Sequence, residues 1–316
     1  MKLDMQQKDR VAGVLVATAA GDALGAGYEF TYPRPDTVID MIGGGLGPFA
    51  PGEWTDDTSM TLAIAEISAS GLPIGYGDGL DAVAAQFVRW YDTRPKDIGN
   101  QTAAVLSVRP ASAAAMRQRA RDIPGRKAGN GSLMRTAPVG IAYLDDADAC
   151  VAAAAEISAL THNDPQAIEA CRLWSYAIRH AVLYGSFDGA RLYLEGASTD
   201  VAEYWGALLD EAEKAETAAV FDKNGWVVHA LQVAWWAITH TDASGPGHLV
   251  DALEAAVRAG GDTDTTAAIA GGLLGARWGA SAVPERWKQM LHGWPGYRVD
   301  GLTELALETA TNAVDR

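Results

Sequence analysis

Apolar residues recur at helical spacing along almost the whole chain. Behind the acidic pair Asp56-Asp57, Met60, Ala63, Ile64 and Ile67 fall on one face of a 3.6-residue turn. Leu80, Val83, Ala84, Phe87, Val88 and Tyr91 repeat that period. An apolar run over 8–20, centred on Val11-Ala12-Gly13-Val14-Leu15-Val16-Ala17, predicts a first helix leading into a glycine-rich turn over 21–27. Ala-rich patterns predict further helices over 146–160, 164–184, 200–219, 226–240, 248–259 and 262–278, and a short one near 301–314. A Pro- and Gly-rich loop covers 32–52, and a basic stretch runs from Arg117 to Lys127. No clear run alternates β-branched and aromatic residues between hairpin turns. Neither a fixed-period repeat nor a low-complexity linker divides the chain. The expectation is one all-α domain over 1–316 with ten or more helices.

Composition narrows this picture. With 316 residues, 48% of them hydrophobic, the chain can bury a substantial core. No eighteen-residue window is uninterruptedly apolar, which argues against a membrane span. The polar N-terminal decapeptide lacks the apolar core of a secretory signal. Cys150 and Cys171, the only cysteines, indicate neither a disulfide framework nor a metal-binding pair, so a reducing cytoplasm is the expected home. A net charge of −15 and a pI near 4.7 argue against general nucleic-acid binding. A small anionic ligand stays open, because helix N-termini and bound cations reverse the local field.

Two acidic segments carry the candidate chemistry. Gly260-Gly261-Asp262-Thr263-Asp264-Thr265 reads as a tight turn feeding a buried helix, and Thr55-Asp56-Asp57-Thr58 opens another. Asp and Thr at a helix start are ordinary caps. Their oxygens are also the ligands that hard divalent cations prefer. Four carboxylates at converging helix starts would repel one another, and two divalent ions would relieve that repulsion. The pairing therefore favours a binuclear metal site. Glu29, between Tyr28 and Phe30, is a candidate acid–base group because apolar surroundings raise a carboxyl pKa. Gly129-Asn130-Gly131-Ser132 offers backbone N–H groups suited to a phosphate, or is a plain turn with a Ser cap. His162 lies in a loop, and Trp226 is either a packing residue or a stacking platform.

Taken in order, Gly21-Asp22-Ala23-Leu24-Gly25 with Glu29, Thr55-Asp56-Asp57-Thr58, Gly129 to Arg135, Thr161-His162 and Gly261 to Thr265 resemble the ADP-ribosylglycohydrolase family. The bacterial dinitrogenase reductase-activating branch is the most similar, and the likeness runs from about residue 8 to residue 279. The resemblance implies an all-α fold around two divalent cations, Mg2+ or Mn2+, held by Thr55, Asp56, Asp57, Asp262, Asp264 and Thr265. It implies hydrolysis of the bond between an ADP-ribosyl anomeric carbon and its acceptor, on an ADP-ribosylated protein or an ADP-ribose-bearing small molecule. Glu29 would be catalytic, and Asp97 would face the leaving group, which favours arginine over serine linkages. Asn100, Gly129, Asn130, Gly131, Ser132, His162 and Trp226 would contact the nucleotide. Lys127-Ala128 departs from the pattern, since some relatives stack adenine on an aromatic there. Other readings are hydrolysis of free ADP-ribosyl compounds or modified nucleic acid, and a non-catalytic ADP-ribose binder.

Overall fold

In the computed structural model, which describes residues 2–312, fifteen α-helices and four 3-10 turns are joined by irregular loops. Only isolated β-bridges occur among the described residues. The first helices are α1 (Met5–Gly25), α2 (Asp56–Ala69), α3 (Gly77–Asp92), α4 (Asn100–Leu106) and α5 (Ala113–Asp122). They are followed by α6 (Ala137–Ala142), α7 (Ala147–Ala159), α8 (Pro165–Tyr184), α9 (Gly189–Glu195) and α10 (Thr199–Lys214). The chain closes with α11 (Val227–Thr239), α12 (His248–Arg258), α13 (Thr263–Trp278), α14 (Glu285–Met290) and α15 (Val299–Asn312). Positions 313 and 314 of the last expected helix lie outside the described residues.

Helix α1 starts at a reciprocal capping box. The Asp4 carboxylate accepts from the Gln7 N–H at 2.8 Å, and the Gln7 side chain accepts from the Asp4 N–H at 3.1 Å. Residues Val11 to Gly25 are then buried on every face. The segment Met5–Tyr28 is long and apolar enough to cross a membrane, but 94% of its apolar window is buried inside the protein. It is the central core helix.

Helix α1 packs most extensively against α13, and small residues let the two backbones touch. A Cβ added at Gly21 would stand 2.2 Å from the Ala267 carbonyl oxygen, and one at Gly271 would stand 2.2 Å from that of Ala17. One at Gly25 would meet the Asp264 backbone at 2.5 Å. Of the residues expected to form a glycine-rich turn, 21–27, those up to Gly25 are therefore the end of α1 and Ala26 and Gly27 begin a 3-10 turn, while Gly21 and Gly25 serve close packing. This crossing brings the end of α1 against the start of α13, and α2 begins beside both.

Four short helices depart from the sequence expectation. Helix α5 occupies what reads as a basic stretch, and Ser112 caps it by accepting from the Ala115 N–H. Helices α4, α9 and α14 fall where no period predicts one, being too short to display it. Helix α10 ends at Lys214, and a 3-10 turn at Ala218–Val220 replaces the rest of the expected 200–219 helix.

Candidate active site

The N-termini of α2 and α13 converge, and Asp22 on α1 fixes the first of them. Its Oδ1 accepts from the Thr55 N–H at 2.9 Å, and its Oδ2 accepts from the Thr58 N–H at 2.9 Å and the Thr58 hydroxyl at 2.6 Å. A carboxylate from another helix thus caps α2. The Thr55 side chain makes no capping bond and is turned inward, its Oγ1 3.2 Å from Asp57 Oδ2 and 3.4 Å from Asp264 Oδ2.

The start of α13 is organised by Asn224, which no sequence motif singles out. Its Oδ1 accepts from the Asp262 N–H at 3.0 Å, and its Nδ2 donates to the Gly260 carbonyl at 2.8 Å. Gly260 and Gly261 both have positive φ, at 76° and 71°, so the expected tight turn is real and glycine suits it. Asp262 stands at the N-cap position without a side-chain capping bond, and its Oδ2 accepts from Asn130 Nδ2 at 2.7 Å. The Phe30 N–H donates to the Gly261 carbonyl at 2.6 Å, which holds the neighbouring Glu29 beside the turn.

Carboxylate oxygens of Glu29, Asp262 and Asp264 consequently lie within 4.8 Å of one another, a group able to hold a metal ion. Asp57 lies beneath, only 1% exposed, and its Oδ1 has no hydrogen-bond partner. A buried acceptor without a donor fits a cation ligand better than a structural role. The donor set of carboxylate and hydroxyl oxygens matches hard divalent cations. Electrostatics agree with the geometry. Burial pushes the Glu29 carboxyl up to about 8, helped by the charges of Asp97 and Asp262. Asp56 is pushed to about 7 by burial and then by Asp97 and Asp22. Burial and like charge raise Asp57 and Asp264 well above the usual range. Burial raises Asp262 also, and Asn130 opposes it. Such a cluster lacks a counter-charge.

Burial is the first cause of Glu29's raised pKa, in line with the sequence expectation, but it does not act alone. Tyr28 is buried, but Phe30 is 59% exposed, so the apolar wall is incomplete and neighbouring carboxylates supply part of the effect. Above the cluster opens a cavity of about 380 Å3. Of the sequence-predicted residues, Glu29, Asp56, Asp97, Asn100, Gly129, Asn130, Gly131, His162, Asp262, Asp264 and Thr265 line it. Thr55 and Asp57 are buried and do not line it.

Two expected contacts are placed elsewhere. Ser132 is wholly buried, and its hydroxyl accepts from Ser158 at 2.9 Å, so its side chain faces the core. Trp226 lines an adjoining cavity of about 890 Å3 that shares Gln101, Gly129 and Gly225 with the cleft. Its indole N–H donates to Gln166 Oε1 at 3.0 Å. The expected free amides of the 129–132 turn are also partly used, because the Asn130 N–H donates to the Gly225 carbonyl at 3.2 Å. Gln101 was missed as well; its Nε2 donates to the Lys127 and Thr161 carbonyls and ties α4 to both loops.

An all-α protein with carboxylates massed under a polar cleft is the class that fold and site define. The particular family follows from comparison: the chain belongs to the ADP-ribosylglycohydrolase family, whose model matches residues 3–315. It is 31% identical over 290 residues to the ADP-ribosylarginine hydrolase Tri1 of Pseudomonas putida (strain GB-1), covering 89% of this chain and 74% of that protein. It is 30% identical over 293 residues to the ADP-ribosyl-[dinitrogen reductase] glycohydrolase of Rhodospirillum rubrum, covering 90% of each. A solved ADP-ribosylglycohydrolase-related protein complex superposes with a TM-score of 0.73 at 28% identity, covering 98% of this chain and 99% of that one.

Proposed function

We propose that this protein removes mono-ADP-ribose from protein side chains, arginine before serine, in a reaction that depends on Mg2+ or Mn2+. The observation that carries the reading is the convergence of Glu29, Asp56, Asp57, Asp262 and Asp264 beneath one cleft, with Asp57 Oδ1 left without a donor. Family membership and the printed activities of the relatives supply the substrate class. In this reading Thr55, Asp56, Asp57, Asp262, Asp264 and Thr265 hold two cations. Bound there, the cations supply charge compensation for the carboxylates and Lewis acidity toward oxygen ligands.

The chain's own groups do the rest. Glu29 faces the cleft and accepts from the Leu46 N–H at 3.4 Å, which aims its carboxyl at the space above the acidic cluster. Departure of the acceptor builds positive charge on the ribose, and a carboxylate there stabilises it and moves a proton. Asp97 lines the same cleft with its Oδ1 accepting from the Ile98 N–H at 2.8 Å. A carboxylate in that place pairs with a departing guanidinium better than with a serine hydroxyl. Asn100, Gly129, Asn130, Gly131 and His162 are the nucleotide contacts, and Trp226 receives its far end. The net acidity of the chain fits a protein-borne substrate over a nucleic acid.

Turnover of matched arginine-, serine- and nucleotide-linked ADP-ribose, each with Mg2+ or Mn2+, tests this reading. Asp262→Ala is expected to lose measurable cation binding by calorimetry and at least about 100-fold in kcat. Glu29→Gln, which removes none of the six proposed ligands, is expected to keep cation affinity and lose about 100-fold or more in kcat. Wild-type turnover that survives exhaustive chelation would remove the cations from the reaction.

A further inference from the structure

Arg135 is wholly buried, and no carboxylate among the described residues forms an ion pair with it. Its guanidinium lies 4.4 Å from the Phe87 ring centre and donates to the Ile157 carbonyl and, at 2.7 Å, to the Thr161 hydroxyl. The same Thr161 oxygen is 2.8 Å from His162 Nδ1. Guanidinium nitrogens only donate, so Thr161 Oγ1 accepts from Arg135. Thr161 is wholly buried, and its own proton has no other acceptor among the described residues. That proton therefore goes to His162 Nδ1, which fixes the ring proton on Nε2.

Nε2 is the atom that borders the cleft. A Cβ at Gly129 or at Gly131 would stand 3.2 Å from it, so both glycines leave room for the imidazole edge. His162 lines the cavity, and its Nε2 has no hydrogen-bond partner among the described residues. Burial and the Arg135 charge hold the imidazole pKa well below its ordinary value, so the ring is neutral at physiological pH. Burial pushes Arg135 down to about 9, which leaves it protonated and an obligate donor.

We propose that Arg135 is a positioning residue that, through Thr161, locks His162 as the neutral Nε2–H tautomer and aims one hydrogen-bond donor between Gly129 and Gly131 at a phosphate or ribose oxygen of the substrate. The tautomer follows from the chain alone, whereas the substrate oxygen rests on the proposed function. A charged histidine would supply the same donor but would need a second acceptor in the core. The buried guanidinium makes that arrangement unfavourable and selects the neutral one.

The test uses 15N-histidine-labelled full-length protein at pH 7, with the His162 signals assigned by their loss in His162→Gln. Long-range 1H–15N correlations are expected to place the proton on Nε2 in the wild type and in Thr161→Ser. In Thr161→Val, which keeps the shape and loses the hydroxyl, both tautomers are expected. With ADP-ribosyl-arginine, Thr161→Val should raise KM about 10-fold, the equivalent of about 1.4 kcal/mol, with a smaller effect on kcat. Thr161→Ser should restore KM, an outcome that a purely structural role for the side chain does not require. Arg135→Met should shift the tautomer in the same direction; if it fails to fold, the Thr161 pair still decides. A wild-type proton on Nδ1, or a tautomer unchanged in Thr161→Val, overturns the proposal. A shifted tautomer with unchanged KM overturns the donor role. Absence of turnover by the wild type would instead count against the proposed function, leaving the tautomer measurement standing.

Discussion

At the scale of single residues, Asp22 is the only charge in α1 after Arg10. It sits in a wholly buried stretch, and burial raises its carboxyl to about 6 although Thr58 and two backbone N–H groups favour the ionised form. Removing it strands the Thr55 and Thr58 N–H groups in the core. Asp22→Ala is expected to cost about 3 kcal/mol in urea unfolding, since each buried unsatisfied group costs about 1–3 kcal/mol. A loss under about 1 kcal/mol would mean that water or rearrangement replaces the cap. The signal for this residue was present in the sequence as a lone carboxylate in an apolar run. Arg135, a lone cation between Leu133-Met134 and Ala137, carried the same kind of signal. Asn224 carried none, because its three partners lie at Asn130, Gly260 and Asp262.

At the scale of elements, the α1–α13 crossing decides where the site residues stand. A Cβ at Gly275 would be 2.0 Å from the Gly13 carbonyl oxygen, and backbone cannot swing aside as a side chain can. Gly275→Ala should therefore destabilise by about 3 kcal/mol, at the upper end of overpacking costs. Gly206, inside α10, has nothing within 4 Å of its Cβ position. Gly206→Ala should stabilise by about 0.5–1 kcal/mol, because it restricts the unfolded chain without a clash. Thermal unfolding of the two variants gives the comparison; equal Tm shifts would show that the crossing tolerates a methyl group.

Long helices with a clear period were legible, and α8 begins and ends within a residue of its expected bounds. Short ones were legible only in part, without their bounds. Helix α6 spans Ala137–Ala142, is buried throughout and is packed against α8 and α2. Six residues show less than two turns of pattern, so tertiary packing rather than local preference specifies such a segment.

At the scale of the whole molecule, buried histidines couple stability to pH. His248 Nε2 donates to the Ile238 carbonyl at 2.9 Å, and its Nδ1 accepts from the Trp278 indole N–H at 2.9 Å. The neutral ring satisfies both, and burial lowers its pKa. A base whose folded pKa is depressed takes up its proton in the unfolded chain first. Its stabilising contribution is therefore complete above an unfolded value of about 6.5 and falls as pH drops below it. His248→Gln can keep both contacts without titrating. The stability advantage of wild type over this variant should shrink below pH 6.5 by up to about 1.4 kcal/mol per pH unit. Urea unfolding at pH 5, 6 and 7 measures it, and a constant difference would show that the ring titrates normally.

The residue types and their order were enough to specify an all-helical chain, its family, and Asp56, Asp97, Asp262 and Asp264 as candidate site residues. Those features reside in local pattern and in short motifs, which are readable along a line. Which side chains cap a helix and which face the cleft was settled only when α1, α2 and α13 packed together. Asp22 takes over the capping of α2, Thr55 and Asp57 turn inward, Ser132 faces the core, and Arg135 reaches His162 through Thr161. A hydrogen bond is directional and reaches about 3 Å, so its partner depends on how distant segments meet.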